Sequence, residues 1–194
     1  AAVYGANTDA LHLSITKADD KILIGKELTR GLGCGGYPRK GLEAAKESIS
    51  EIKKAVSGSD MVFVLGGMGG GTGTGASPVF AQAAKEAGAV VIGVVTMPFE
   101  CEKARIDKAE FGLQSLREVT DTVIVIDNNR LVDIAGNLPM EQAFAVANEL
   151  ISTMIKGIVE TITLPSLINL DYADVSAIMK NGDVAVIGVG ESDT

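Results

Sequence analysis

The chain has 194 residues, 46% of them apolar and 4% aromatic, with 23 glycines, no tryptophan and a formal net charge of −8. That apolar share suits one large folded core, or a domain with a small appendage, and excludes a disordered chain. The acidic balance and scarce aromatics exclude a phosphate-attracting or base-stacking nucleic-acid surface, and no apolar run approaches the roughly 18 residues of a membrane helix.

Taken in order, the segment AAVYGANTDA reads as the tail of a strand followed by a turn, with no basic region or signal core. The run KILI (21–24) is a short strand, and GKELTRGLGCGGYP (25–38) is a glycine-rich loop ahead of a helix. Leu42, Ala45, Ile49, Ile52 and Val56 step by three and four, which predicts one amphipathic helix. Next come DMVFVL (60–65), the loop GGMGGGTGTG (66–75) and an alanine-rich helix, then AVVIGVVT (89–96). Ile106, Ala109, Leu113 and Leu116 mark another crossover helix, followed by DTVIVI (121–126).

From Met140 to Ile162 apolar residues occupy neighbouring helical faces, which predicts a long central helix buried nearly all round. Pro165 stops it, and LPSLINLDYADV carries two aspartates into a further short helix. DVAVIGVGESDT (183–194) closes the chain as a strand with an acidic tail. Nearly continuous apolar strands alternating with helices indicate an α/β fold on a mostly parallel sheet.

A glycine-rich loop between strand and helix leaves amide hydrogens free to converge on an anion, with the helix dipole assisting. DMVFVLGGMGGGTGTGASPVFAQAAKEAG supplies strand, loop and helix in that order, and the hydroxyls of Thr72 and Thr74 add donors. No G-x-x-x-x-G-K-[ST] sequence occurs, which excludes a Walker-type loop, whereas residues 71–76 satisfy a relaxed dinucleotide fingerprint. The second glycine loop, before a different helix, points to a polyphosphate held from more than one side. Two cysteines, Cys34 and Cys101, are too few for a disulfide framework or a zinc site and suit a reducing compartment. His12 reads as a surface residue.

GGGTGTGASPV, together with NTDA (7–10), LTRGLGCGG (28–36), TMPF (96–99) and NLDYAD (169–174), resembles the FtsZ family, the tubulin-related cell-division GTPases of bacteria and archaea. GIVETITLPSLINLDYADV and IGVGESDT are most similar to archaeal members. The resemblance implies a three-layer, Rossmann-like nucleotide-binding domain with a long buried central helix. It divides the chain into a GTP-binding domain (1–139), the central helix (140–163) and a segment with the acidic loop, a short helix and a first strand of a second domain (164–194).

Position by position, the resemblance implies that Gly70, Gly71, Thr72, Gly73 and Thr74 wrap the phosphates of GTP or GDP. Cys34, Gly35 and Gly36 match the loop that senses the terminal phosphate, with Cys34 standing where alanine is usual. Pro98 belongs to the TMPF segment, and Glu102 and Arg105 match a pair near ribose and phosphates, here three residues apart where the family has four. Asn128 and Asn148 match the guanine-reading asparagines, with Phe144 stacking on the base. By residue type alone, each asparagine reads equally as a cap or turn. Asp127 replaces a usual proline and Met97 a usual lysine.

Asp171 and Asp174 read by themselves as a helix cap and a dipole-complementing acid. The resemblance gives them, with Asn169, a catalytic role in the pocket of the next subunit, polarising the attacking water and helping to place Mg²⁺. That loop lies at the far end of a helix spanning roughly 30 Å from its own chain's phosphates. Hydrolysis then requires a neighbour, and a head-to-tail contact that does not close makes a filament.

The family pattern also has a strand and a glycine-rich loop before Ala1, and a domain and a tail for membrane tethers after Thr194. The 194 residues are accordingly expected to be an internal fragment, with weak GTP binding and little turnover of its own. The implied setting is the cytoplasm, at the midcell division ring, with self-association and division-ring regulators as partners. Two alternatives stay open: a tubulin-superfamily paralogue acting in cell shape, and a NAD-dependent oxidoreductase using residues 71–76.

Overall fold

The computed structural model describes residues 2–130 and 140–163, together with residue 177. Among the described residues five strands, β1 (Tyr4–Asn7), β2 (Asp20–Leu23), β3 (Met61–Gly67), β4 (Val90–Met97) and β5 (Thr122–Asp127), alternate with helices. The helices are α1 (Ala10–Ile15), α2 (Lys26–Thr29), α3 (Pro38–Glu47), α4 (Ile49–Val56), α5 (Thr72–Glu86), α6 (Lys103–Arg117) and α7 (Met140–Thr163). Every described strand pair is parallel, as the alternation predicts.

The strands form two hydrogen-bonded sheets, β1–β2 and β3–β4–β5, rather than the single sheet expected. Side-chain packing joins them: Ile22 at the end of β2 and Ile24 just past it share a core with Val64 of β3 and with α3, α4, α5 and α6. β1 has four residues and is followed by its own crossover helix α1, which is too short to show a helical period in the sequence.

β4 is the middle strand of the three-stranded sheet, and its residues divide between two cores. Val91 and Val95 face the helical layer of Ala76, Ala83, Ala109 and Leu116, whereas Val90, Ile92 and Val94 face α7 through Met154. The uninterrupted apolar run is thus a strand covered on both faces. Helices, sheet and α7 make three layers, and burying each of these large side chains contributes about 1.5–3 kcal/mol.

Two helical expectations change. The period over residues 42–56 is carried by two helices, because Ser48, at φ −96° and ψ 20°, ends α3 and starts α4. Its buried hydroxyl oxygen accepts the Gly25 backbone N–H at 3.0 Å, a bond that rewards the break. The central helix has the expected length of 24 residues but is not buried all round. Ile151, Met154, Ile155 and Ile158 pack on the sheet, while Asn148, Glu149, Ser152, Thr153, Lys156 and Glu160 are exposed. One flat sheet face covers one stripe of a helix, so Phe144 and Val146, 42% and 39% exposed, lie outside that contact.

Candidate functional site

The residues singled out for chemistry collect at the carboxyl ends of the strands, the edge where open α/β sheets bind ligands. After β3 the loop 66–71 is held from both sides. The Met68 N–H donates to the Thr96 carbonyl on β4 at 2.9 Å, and the Gly69 N–H donates to Thr74 Oγ1 at 2.9 Å. Gly69 takes a φ of +94°, and a Cβ there would press on Arg105 at 2.9 Å and on Pro98 at 3.4 Å. The TMPF segment and Arg105 thereby form one wall of the loop.

α5 starts at Thr72 with Gly71 as its N-cap and no side chain capping it. The amides of its first turn have no partner within the helix, so an anion at this end meets free N–H donors and a favourable dipole. A methyl group placed at Gly70 would meet nothing within 4 Å, which leaves its backbone open to a ligand. Gly73 and Gly75 serve differently. A Cβ at Gly73 would strike the Gly67 carbonyl, and one at Gly75 the Pro38 carbonyl, so both allow α5 to lie against β3 and α3.

The second loop closes on the first. A Cβ at Gly71 would come within 2.6 Å of the Cys34 Cβ, and Cys34 is buried there. Gly35 and Gly36 have φ of +59° and +77°, a left-handed path that turns the chain towards Tyr37 and α3. Lys108 of α6 donates to the Gly36 carbonyl at 2.9 Å and lies 5.8 Å from the Tyr37 ring centroid. The NTDA turn completes the junction: the Gly33 N–H donates to the Thr8 carbonyl at 3.1 Å, and the Ala10 N–H to the Gly31 carbonyl at 3.0 Å. His12 is exposed, as expected, and its backbone N–H is capped by Asp9.

The Glu102–Arg105 pair survives its shortened spacing as a salt bridge of 2.9 Å across one helical turn. Glu102 also accepts the Phe99 N–H at 3.2 Å, so it shapes the loop after β4. Phe99 meets Phe144 of α7 edge to face, with ring centroids 5.8 Å apart, and Asn148 stands exposed one turn further along. At the end of β5, Asn128 is buried between Asp127 and Asn129. Asp127 Oδ1 accepts both the backbone and the side-chain N–H of Asn129 at 2.8 Å. Asn129 in turn accepts the Glu100 N–H at 3.0 Å, tying this turn to the TMPF loop.

Three residues that sequence reasoning passed over thus shape the site: Thr8, Lys108 and Asn129. Thr8 lay inside a motif already quoted; a single lysine on a helix and the second of two asparagines carry no pattern of their own. Asn169, Asp171 and Asp174 lie outside the described residues. Among the described residues no three ligating side chains come together to hold a metal ion, and no helix is long and apolar enough to cross a membrane.

Residues 2–136 match the family model described as "Tubulin/FtsZ family, GTPase domain". The chain is 59% identical to "Cell division protein FtsZ 1" of Archaeoglobus fulgidus, over 99% of its own length and 52% of the relative's. It is 56% identical to "Cell division protein FtsZ 2" of Methanocaldococcus jannaschii, over 100% of its own length and 51% of the relative's. A solved M. jannaschii structure described as "FtsZ dimer, empty" superimposes with a TM-score of 0.89 at 53% identity, covering 94% of this chain and 54% of that one. The chain spans about half the length of the curated relatives it matches. On its residues, its fold and these matches, the chain belongs to the tubulin/FtsZ family.

Proposed function

We propose that this chain contributes the GTP-binding site of a GTPase that assembles head to tail into filaments for cell division. The observation that carries the reading is the uncapped start of α5 behind the pinned loop 66–71, faced by the second glycine loop. Gly70, Gly71, Thr72, Gly73 and Thr74 present amides to the phosphates from one side, with the Thr72 hydroxyl beside them, and Cys34, Gly35 and Gly36 line the other. The buried Thr74 hydroxyl, expected as a further donor, instead accepts the Gly69 N–H and holds the loop. Pro98, Glu102 and Arg105 border the ribose end. Asn128 and Asn148 read the guanine edge, with Phe144 placed by Phe99 to stack on the base.

Binding and positioning of the nucleotide are the tasks of this chain's own residues. The hydrolytic step is assigned to Asn169, Asp171 and Asp174 of the adjacent copy, which orient a water towards the terminal phosphate. The pocket's donors are amides and hydroxyls, a set that fits Mg²⁺ only as an ion carried by phosphate oxygens and water. When bound, it supplies neutralisation of phosphate charge. The domain division at residues 139 and 163, the cytoplasmic setting at the midcell ring, and contacts with regulators and membrane tethers belong to the same proposal.

A dinucleotide site finds less support. The glycines of its fingerprint, Gly71 and Gly73, fall at the N-cap and in the first turn of α5 rather than in a turn after the strand. A role in cell shape instead of division has no specific observation in its favour, and the similar relatives are named for cell division.

The reading is tested in the protein at its full length by following phosphate release and sedimentable polymer together. Asp171→Ala is expected to leave GTP binding and polymer intact while turnover falls at least about a hundredfold, in line with loss of a water-positioning group. Unchanged polymer-dependent turnover would show that the acidic loop does not complete the site.

A further inference from the structure

We propose that Thr8 is a positioning residue that aims the Thr72 hydroxyl at a nucleotide phosphate, at the end of a directional relay running Cys34 to Thr8 to Thr72. The inference rests on the nucleotide reading above and adds a residue to it. Thr8 is fully buried where the end of β1, the second glycine loop and the start of α5 meet. Its carbonyl accepts the Gly33 N–H and the Thr29 hydroxyl, both at 3.1 Å, so its backbone is fixed. Its own hydroxyl lies 2.7 Å from Thr72 Oγ1, and the buried Cys34 thiol lies 3.4 Å from Thr8 Oγ1.

The direction follows from counting hydrogens. The three groups hold one S–H and two O–H donors. If Thr72 donated to Thr8, the Thr8 oxygen could accept the Cys34 S–H as well, but the buried Thr8 hydrogen would then have no acceptor; turned to the Cys34 sulfur, a weak acceptor, it would displace the thiol hydrogen from its oxygen. If Cys34 donates to Thr8 and Thr8 to Thr72, every buried donor is satisfied. Thr72 Oγ1 is then an acceptor within the protein, and its remaining hydrogen is directed outwards. Thr72 is half-buried at the first position of α5, beside the uncapped amides, so that hydrogen is available to a phosphate oxygen. Successive hydrogen bonds polarise one another and strengthen this final donor.

The test compares ligands with and without phosphates in the full-length protein, using GDP and guanosine as probes in calorimetric or competition titrations. Thr8→Val keeps the shape and removes the relay. It is expected to weaken GDP binding about tenfold while guanosine binding stays unchanged, and Thr8→Ser, which keeps the hydroxyl, is expected to restore GDP binding. Thr8→Ala, which removes the hydroxyl without adding bulk, is expected to cost GDP binding about tenfold, again without effect on guanosine, and carries the test should Thr8→Val fail to fold.

Wild-type GDP affinity in Thr8→Val or Thr8→Ala would overturn the relay while leaving the nucleotide site standing. An equal loss for GDP and guanosine would also overturn it, since that is the signature of general damage to the pocket. If the unsubstituted protein bound neither ligand, the nucleotide reading itself would fall, and the relay with it.

Discussion

The two glycine loops look alike in composition, yet their glycines answer different demands. In the loop before α3, Gly31, Gly33, Gly35 and Gly36 all have positive φ, and even Arg30 sits at +53°. A Cβ at Gly35 or Gly36 would find only ordinary contacts, with the Tyr37 ring at 3.7 Å and the Lys108 amine at 4.0 Å. Backbone handedness is what calls for glycine there. In 66–75 only Gly69 is left-handed, and most of the other glycines are required by close approach to Gly67, Cys34, Ser77 or Pro38. Gly70 belongs to neither group. A bare run in a sequence therefore combines positions that need glycine for backbone handedness, positions that need it for close packing, and one, Gly70, whose missing side chain answers to neither.

Substitution can separate the three classes. Gly75→Ala should have the largest effect on stability, about 3 kcal/mol, because the added methyl meets the Pro38 carbonyl and the Leu42 nitrogen and must push α3 off α5. Denaturant unfolding would show it, and Gly75→Asn should be worse still. Gly35→Ala should cost about 1 kcal/mol, and Gly35→Asn less than Gly35→Ala, since asparagine tolerates the left-handed region. If alanine and asparagine rank the same way at both positions, the distinction between handedness and packing is wrong.

Gly70→Ala should change stability by less than about 0.5 kcal/mol, as it meets no protein atom. It should nevertheless weaken GDP binding about tenfold or more by holding a phosphate off the amide. A stable variant with undiminished affinity would remove Gly70 from the site.

The smallest effect lies at the outer seam of the same helical layer. The Glu86 carboxyl is held below its ordinary value of 4.5 by hydrogen bonds from Lys53 and then Gln82, with the Lys53 charge adding to them. A lowered folded value means that its stabilising contribution is complete above the ordinary pKa and is lost as pH falls through the folded one. The group lies at the surface, so the effect is small and screened by salt. Glu86→Gln should lower the unfolding midpoint slightly at neutral pH, with the difference vanishing in acid or high salt.

What was legible in the sequence is what rests on local pattern. The apolar run of β4 announced burial on both faces, and the order of strand, glycine loop and helix located the uncapped start of α5 at the strand ends. The family resemblance supplied Cys34, Glu102, Arg105 and Phe144, and the structure places these around the strand ends. The break at Ser48 was not legible, because it depends on a backbone donor from Gly25, distant in sequence. Thr8 gave no warning either, since its importance comes from three partners in different segments. The exposure of α7 was misread because apolar residues on neighbouring faces, such as Phe144 and Val146, do not reveal whether a partner covers them. Residues 183–194, expected as a strand with an acidic tail, lie outside the described residues.

The central claim is that the loop 66–71 and the start of α5 form one half of a guanine-nucleotide pocket. Calorimetric titration of the full-length protein with GDP, ADP and NAD tests it most directly. The account predicts saturable binding of GDP, binding of ADP at least about tenfold weaker because Asn128 and Asn148 read the guanine edge, and no measurable binding of NAD. Binding of NAD or ADP as tight as that of GDP would contradict it.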